Sequence, residues 1–313
     1  MKLNYIIILF LLLAFTACKV QTDNQNGLEL PDVNVQTDSF KDYWYSGKAE
    51  LAHYDLQQIR YGEIRDGDAT LIFVTEDFLL DKQVKLESPA DGRDAPTVLK
   101  LNFMKEFVTG IYKYNVMTST FTPIDLYNHP NTLKVASSSQ EWCGTTYSQL
   151  NFRDGQYEVT GHSYFEKEAD YSATLENTWL EDELWTKLRL SPELLPEGEI
   201  DIIPGSFEVR TSHDGWSVRQ ATATKSKWNG EGDFPGENLM AYKLDYQEAD
   251  RTLTIIYEPI SPYRIAGWIE TQQARNGETL TARSVRTDVI QEPYWQQNAN
   301  ADEDLRKKLG LEN

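Results

Sequence analysis

The sequence predicts a mainly β protein of the α+β class: one large antiparallel twisted sheet or half-barrel carrying a few short helices. Three observations lead there. From residue 48 onward, short stretches alternate apolar and polar side chains with the two-residue period of a half-buried strand. Dipeptides that tolerate positive φ, namely Asp66-Gly67, Asp154-Gly155 and Asn276-Gly277, fall between those stretches, where type I′ hairpin turns are expected. No βαβ alternation and no fixed-period repeat is present, so a doubly wound sheet and a solenoid are both disfavoured.

Along the chain, Phe40, Tyr43 and Trp44 fit a single helical turn before Gly47. Asp66-Gly67 is expected to join a strand over 59–64 to one over 69–74. In the second, Leu71 and Phe73 alternate with Ile72 and Val74, so both faces are apolar, as in a central strand. After a turn at Asp91-Gly92, residues 98–103 and 111–121 form a further pair. Asp154-Gly155 pairs 146–152 with 157–162. Thr178 and Glu181 have the spacing of a capping box opening a helix in which Leu180, Leu184, Trp185 and Leu188 share a stripe. Pro192, Pro196 and Pro204 interrupt the pattern over 190–204, which either divides two β subdomains or crosses over within one sheet. Asp214-Gly215 marks another turn. Tyr242, Leu244 and Tyr246 then face Leu253, Ile255 and Tyr257 across a turn near Ala249 and Asp250. Asn276-Gly277 joins 263–271 to 279–285. Residues 302–309 read as a helix, with acid in the first turn, Arg306, Lys307 and Lys308 in the last, and Gly310 as the stop. The total is about ten strands. An open half-barrel with the Trp185 helix packed in its concave face uses all of these elements.

Before residue 39 the pattern is different. Lys2 precedes an apolar run over 5–15, and Thr16 and Ala17 lead into Cys18, which together read as an export signal. The run is too short to span a membrane, which takes about 20 residues. Residues 19–38 are polar and without period, and read as a flexible tether. The 313 residues carry 49 Asp and Glu against 30 Lys and Arg, a formal charge of −19 that becomes −20 when 1–17, with one Lys and no acid, are removed. That acidity excludes nucleic acid as a partner of the folded body, because phosphate contacts need Lys or Arg. The 12% aromatic content excludes a disordered acidic chain.

Phe15-Thr16-Ala17-Cys18 resembles the lipobox of bacterial lipoproteins, with Phe15 in place of the usual Leu. The resemblance implies a diacylglyceryl group on the Cys18 sulfur and cleavage before it. The organisation is then a signal peptide over 1–17, a lipidated tether over 18–38 and a β domain over 39–313, with possible subdivision near 190–204. Two or three acyl chains, at about 0.8 kcal/mol per buried methylene, hold such a chain on a bilayer durably. Lys19 stands where inner-membrane retention would place Asp, which implies the outer membrane, on its periplasmic side or at the cell surface. With Cys18 acylated, Cys143 is the one remaining thiol and no intramolecular disulfide is available.

A wider resemblance rests on the stretches 43–50 (YWYSGKAE), 60–63 (RYGE), 71–78 (LIFVTEDF), 117–121 (MTSTF), 140–144 (QEWCG) and 162–165 (HSYF). They are similar to a family of Gram-negative envelope lipoproteins of unassigned activity that often carry the label "septum formation inhibitor Maf". Maf proteins themselves are cytoplasmic α/β nucleotide pyrophosphatases with an N-terminal Ser-x-Ser-Pro-Arg-Arg motif. This chain has no such motif and begins with an export signal, so the label does not transfer. At the level of fold analogy, a lipoprotein with a long antiparallel meander resembles the half-barrel carriers of the LolA/LolB type.

Few residues suggest chemistry. Cys143 and His162 fall near opposite positions on strands joined at Asp154-Gly155, which opens thiol nucleophilic catalysis; a buried structural Cys is the competing reading. Alternation would set Glu166 and Glu168 on one face, and with Glu76 they offer a carboxylate pair for glycoside hydrolysis or cation binding; among 49 acids such clusters arise by chance, and a solvated acidic face is the favoured reading. Trp142, Tyr147, Tyr164 and neighbouring rings would line a groove for sugars or acyl chains, or fill the strand core. The four His are scattered, and there is no P-loop, G-x-G-x-x-G or G-x-S-x-G, so no cofactor or metal is expected. The expected function is a non-catalytic envelope lipoprotein that binds an apolar or glycan ligand or a partner protein. The alternative is an envelope hydrolase built on Cys143 with His162 or on a carboxylate pair.

Overall fold

The computed structural model describes residues 28–230, 232–274 and 276–311. The export signal and the lipidation at Cys18 fall outside the described residues. Helix α1 (Asp38–Trp44) is capped by Thr37, whose Oγ1 accepts from the Phe40 N–H at 3.3 Å. Val35 is buried and Val33 packs against the same core, so ordered packing begins before α1. Strands β1 (Ala49–Arg60), β2 (Glu63–Leu79), the short β3 (Val84–Lys85), β4 (Thr97–Thr109), β5 (Tyr112–Pro123), β6 (Lys134–Glu141), β7 (Gly144–Arg153), β8 (Gln156–Ser163) and β9 (Tyr171–Glu176) follow. The two-residue β10 (Trp179–Leu180) leads into helix α2 (Glu181–Leu190), and β11 (Gly198–Ile203) into helix α3 (Ser206–Ser212). Strands β12 (Arg219–Lys227), β13 (Met240–Tyr246), β14 (Arg251–Tyr257), β15 (Ile265–Gln273) and β16 (Thr279–Glu292) precede helix α4 (Asp304–Lys308).

The protein is mainly β, and all sixteen strands of the described residues belong to one sheet that is not closed into a barrel. Its order is β10-β11-β12-β13-β14-β15-β16-β1-β2-β4-β5-β6-β7-β8-β9, with β3 on β2 alone. Every pairing is antiparallel except β10 with β11. Strands from both sides of 190–204 enter this sheet, and that segment itself supplies β11.

Asp154-Gly155 makes the expected two-residue turn, with φ of 48° and 77°. Tyr242 and Leu244 face Ile255 and Leu253 as the alternation requires. Asp66-Gly67, in contrast, is not a turn. The chain reverses at Tyr61-Gly62, with φ of 56° and 75°, and β2 runs straight through Gly67. Glycine is needed there for close approach rather than for φ, because a Cβ on it would sit 2.1 Å from the Glu106 carbonyl oxygen. The strands beyond the expected ten are those without an apolar stripe, such as the serine-rich β6 and the exposed β9.

The inner face of the sheet wraps α2. All of α2 except Asp182 is buried, and Trp185 meets Phe103 of β4 and Trp268 of β15 edge-on, at 5.0 and 5.5 Å between centroids. Glu183 accepts from the Leu180 N–H at 3.2 Å and so caps the helix, while the Thr178 hydroxyl donates to the Asp201 carbonyl of β11. The charges buried with α2 are paired. Glu181 takes both Arg251 terminal nitrogens at 2.6 and 2.8 Å; Arg189 takes both Glu50 oxygens at 2.5 and 2.7 Å; Lys187 lies 3.1 Å from Glu183. Leu71 and Phe73 of β2 join this inner core, whereas Ile72 and Val74 pack on the outer face under Leu309. The two apolar faces of that strand therefore have separate partners. No helix among the described residues is long and apolar enough to cross a membrane.

The sheet's free edges, β9 and β10, are separated in sequence only by Asn177 and Thr178. Three peptide steps span at most about 11 Å, so the gap in the sheet is narrow at that point. Further along the gap, Trp216, Val218, Tyr171 and Leu175 pack on one small core with Val159 and Leu180, and the Trp216 Nε1 donates to the Tyr171 hydroxyl at 2.7 Å. The loop after α3, rather than another strand, covers that edge.

Candidate functional site

The inner faces of β6, β7 and β8, the start of β9, and α3 enclose a cavity of about 290 Å³. Its wall is set by how α3 is pinned. Asp182, the one α2 residue not fully buried, accepts from both the Ser206 N–H (2.9 Å) and the Ser206 hydroxyl (2.6 Å) at the start of α3. Burial pushes the Asp182 carboxyl up to about 6, against the opposing pull of those hydrogen bonds. At the other end, Arg210 donates from Nε to Thr146 Oγ1 (3.1 Å) and from Nη1 to Glu168 Oε1 (3.3 Å), and His213 Nδ1 lies 2.7 Å from the same oxygen. The Ser163 hydroxyl donates to Glu168 Oε2 at 2.6 Å. Burial alone would raise the Glu168 carboxyl, but the Ser163 and His213 hydrogen bonds and the Arg210 charge hold it below its ordinary value.

The lining is rich in hydroxyls. Ser137, Ser139, Thr146, Ser148, Ser163 and Ser206 come from four different elements, and the rings of Tyr171, Trp216 and Phe207 add apolar area. Ser137 exchanges a hydrogen bond with Thr118 at 3.0 Å. Ser139 is also a lining residue, but its Oγ is turned out of reach of the cavity and has no hydrogen-bond partner among the described residues. A buried hydroxyl left in that state costs about 1–3 kcal/mol.

The residues singled out from sequence divide into three places. Tyr147 and His162, cross-strand neighbours, border the cavity together with Glu168, although alternation turns the Tyr147 and His162 side chains to the outer face. Trp142, Cys143 and Tyr164 lie in the turns just above it. The expected meeting of Cys143 with His162 does not occur: the register sets His162 opposite Tyr147, and Cys143 is four positions further on, on the order of 10 Å of strand. Cys143 is exposed rather than buried; its N–H donates to Glu141 Oε2 at 2.6 Å, and hydrogen bonding and charge from Glu141 push its thiol up, away from the reactive thiolate.

Glu166 and Glu168 are in the connection between β8 and β9, not on an alternating strand; Glu166 is exposed while Glu168 is tied to Arg210. Glu76 is on β2, 3.5 Å from Lys100 and away from both. The three carboxylates form no pair. Arg210, His213, Ser139 and Trp216 escaped sequence reasoning because each is an ordinary residue in its own segment. The run of three serines over 137–139 was the one local signal.

Among the described residues no group of three or more His, Cys, Asp or Glu is arranged to hold a metal ion. Comparison of the chain with family models, with curated proteins and with solved structures gives no match.

Proposed function

We propose that this chain is a membrane-anchored envelope lipoprotein whose open β sheet binds a small polyhydroxylated ligand, of the glycan class, without transforming it. The observation that carries the reading is the cavity walled by Ser137, Thr146, Ser148, Ser163 and Ser206 on four elements. Its volume of about 290 Å³ is at the lower end of small-molecule sites, which start near 300 Å³, and suits a single sugar ring. An acyl chain is disfavoured as cargo because α2 fills the interior that a long apolar ligand would need. The separation of Cys143 from His162, and of Glu76 from Glu168, leaves the hydrolase alternative without a reacting pair. The anchor rests on the lipobox-like residues 15–18 and the export signal before them.

Native mass spectrometry of the full chain, extracted in detergent from cells that make it, tests the proposal. A co-purifying sugar mass, lost on Ser148→Val, supports it. Ligand-free protein that also gives no saturation-transfer NMR signal with free monosaccharides refutes it.

A further inference from the structure

Four of the connections at one end of the sheet lie beside one another: β1–β2 at Tyr61, β4–β5 at Ile111, β6–β7 at Trp142 and β8–β9 from Tyr164. The cavity lies near this end, since Thr146, Ser163, Glu168 and Tyr171 of its lining are at or beside these connections. The connections carry large exposed side chains, with Trp142 72% exposed, Tyr164 76% and Tyr61 58%. Isolated exposed rings are ordinary on a protein surface, but these are contiguous and held in place. Tyr112 packs inward against the core, with its ring 6.5 Å from that of Trp142. The Tyr61 and Tyr114 hydroxyls are 2.9 Å apart, and the Arg60 guanidinium lies 4.1 Å from the Tyr61 ring centre. Tyr164 lies flush on Gly144, two residues from Trp142, where any Cβ would come 2.7 Å from its ring. Phe165, beside Tyr164, stacks under Arg210, which already forms part of the cavity wall.

We infer that this aromatic lip and the cavity take one ligand together: an extended, uncharged glycan chain, with one sugar in the cavity and the following sugars stacked on Trp142 and Tyr164. The inference rests on the cavity reading above and adds the class of ligand, a chain rather than a single sugar. Sugar rings present flat C–H faces to aromatic rings and hydroxyls at their edges, which matches the order of surfaces from lip to cavity. Rings already fixed in place lose little entropy when covered. The chain's charge selects among partners. A chain of formal charge −20 once 1–17 are removed, with Glu141 on this rim and Glu63 and Glu106 already paired with Arg65 and Lys113, disfavours polyanionic chains and anionic headgroups but not a neutral polymer.

The test is a length series of chito- and cello-oligosaccharides, from one to five sugars, titrated into the full chain in detergent micelles by saturation-transfer NMR and calorimetry. The expected result is that a single sugar binds and that three sugars bind about tenfold tighter or more, roughly one stacked ring. Trp142→Ala, in an exposed turn, removes the gain with length and leaves single-sugar affinity unchanged, while Trp142→Phe keeps most of it. Equal affinity at every length, or a gain that survives Trp142→Ala combined with Tyr164→Ala, overturns the lip and leaves the cavity reading standing. Failure of every sugar in both series overturns the cavity reading and the lip with it. Adsorption to phosphatidylethanolamine vesicles that is lost in Trp142→Ala, without any length effect, assigns the lip to a membrane instead.

Discussion

Replacing Arg189 by Met tests whether the α2 charges hold the fold together as paired units. Arg189 is fully buried; it binds both Glu50 oxygens at 2.5 and 2.7 Å, donates from Nε to the Pro262 carbonyl at 2.8 Å, and stacks over Phe73 at 4.5 Å. Burial by itself would raise the Glu50 carboxyl. The Arg189 charge and hydrogen bonds outweigh that, helped by the Tyr43 hydroxyl and Arg264, and hold Glu50 below its ordinary range. Met fills similar space but leaves the Glu50 charge without its main partner. Stranding one member of a buried pair costs about 3–5 kcal/mol. Arg264, 3.7 Å from Glu50 Oε2, recovers part of it, so about 3 kcal/mol is expected. Urea unfolding followed by tryptophan fluorescence reads this directly, since Trp44 lies 5.0 Å from Arg189. A melting temperature lower by about 6–12 °C should accompany it. Adding Glu50→Gln removes the stranded charge, so the double variant should lose no more than about 1.5 kcal/mol, a coupling of at least about 2 kcal/mol. The pH dependence gives a second reading. Because the folded Glu50 value is depressed, its contribution is present above the unfolded value of 4.5 and lost as pH falls through the lower folded one; Arg189→Met should lack that acid loss. A single-variant cost under about 1 kcal/mol, or a double variant equal to the sum of the singles, refutes the reasoning.

Three further outcomes are expected. Ser139→Ala should stabilise the protein by about 1 kcal/mol in thermal melts, because it removes a buried hydroxyl without a partner among the described residues; destabilisation would mean that Ser139 is satisfied. Asp182 titrates near 6 when folded against 3.8 ordinarily, so the folded state holds its proton longer; its contribution to stability is full below 3.8 and lost as pH rises through 6. Asp182→Asn should flatten that fall, on the order of 2 kcal/mol, in melts taken from pH 4 to 7, and an unchanged profile would contradict it. Glu141→Gln should speed alkylation of Cys143 by iodoacetamide several-fold at pH 7, since Glu141 is what holds the thiol up; an unchanged rate would show that it does not.

How much was legible follows from how local each signal is. The hairpins at Asp154-Gly155 and across Asp250 were readable because turn chemistry and the apolar stripe agree over a few residues. The turn at Tyr61-Gly62 was missed because Asp66-Gly67 carries the stronger motif, yet Gly67 is there to let Glu106 approach from the next strand. The helix inside the sheet was legible from Leu184, Trp185 and Leu188, but its buried charges were not: Glu50, Arg251 and Glu183 acquire partners only once distant strands are set side by side. The site has the same character. Its hydroxyls come from β6, β7, β8 and α3, and only the curl of the sheet brings serine and threonine positions from these four elements into one wall.

The strand order is that of a plain meander cut open at its centre. Strands β10 to β16 and β1 to β9 each run in sequence, and the seam between them, where β1 meets β16, pairs Ala49 with Glu292. As the chain emerges, the β1–β9 half can zip up by neighbouring hairpins, but its central strand keeps one bare edge until the last strand arrives. A rearranged gene that linked the segments beside Ala49 and Glu292, and began instead between Asn177 and Thr178, would turn that seam into one more local hairpin. Its two open edges would then be its first and last strands. Such a permuted chain should fold faster than the natural one to the same sheet, which would make the seam, and not the number of strands, the slow step of assembly.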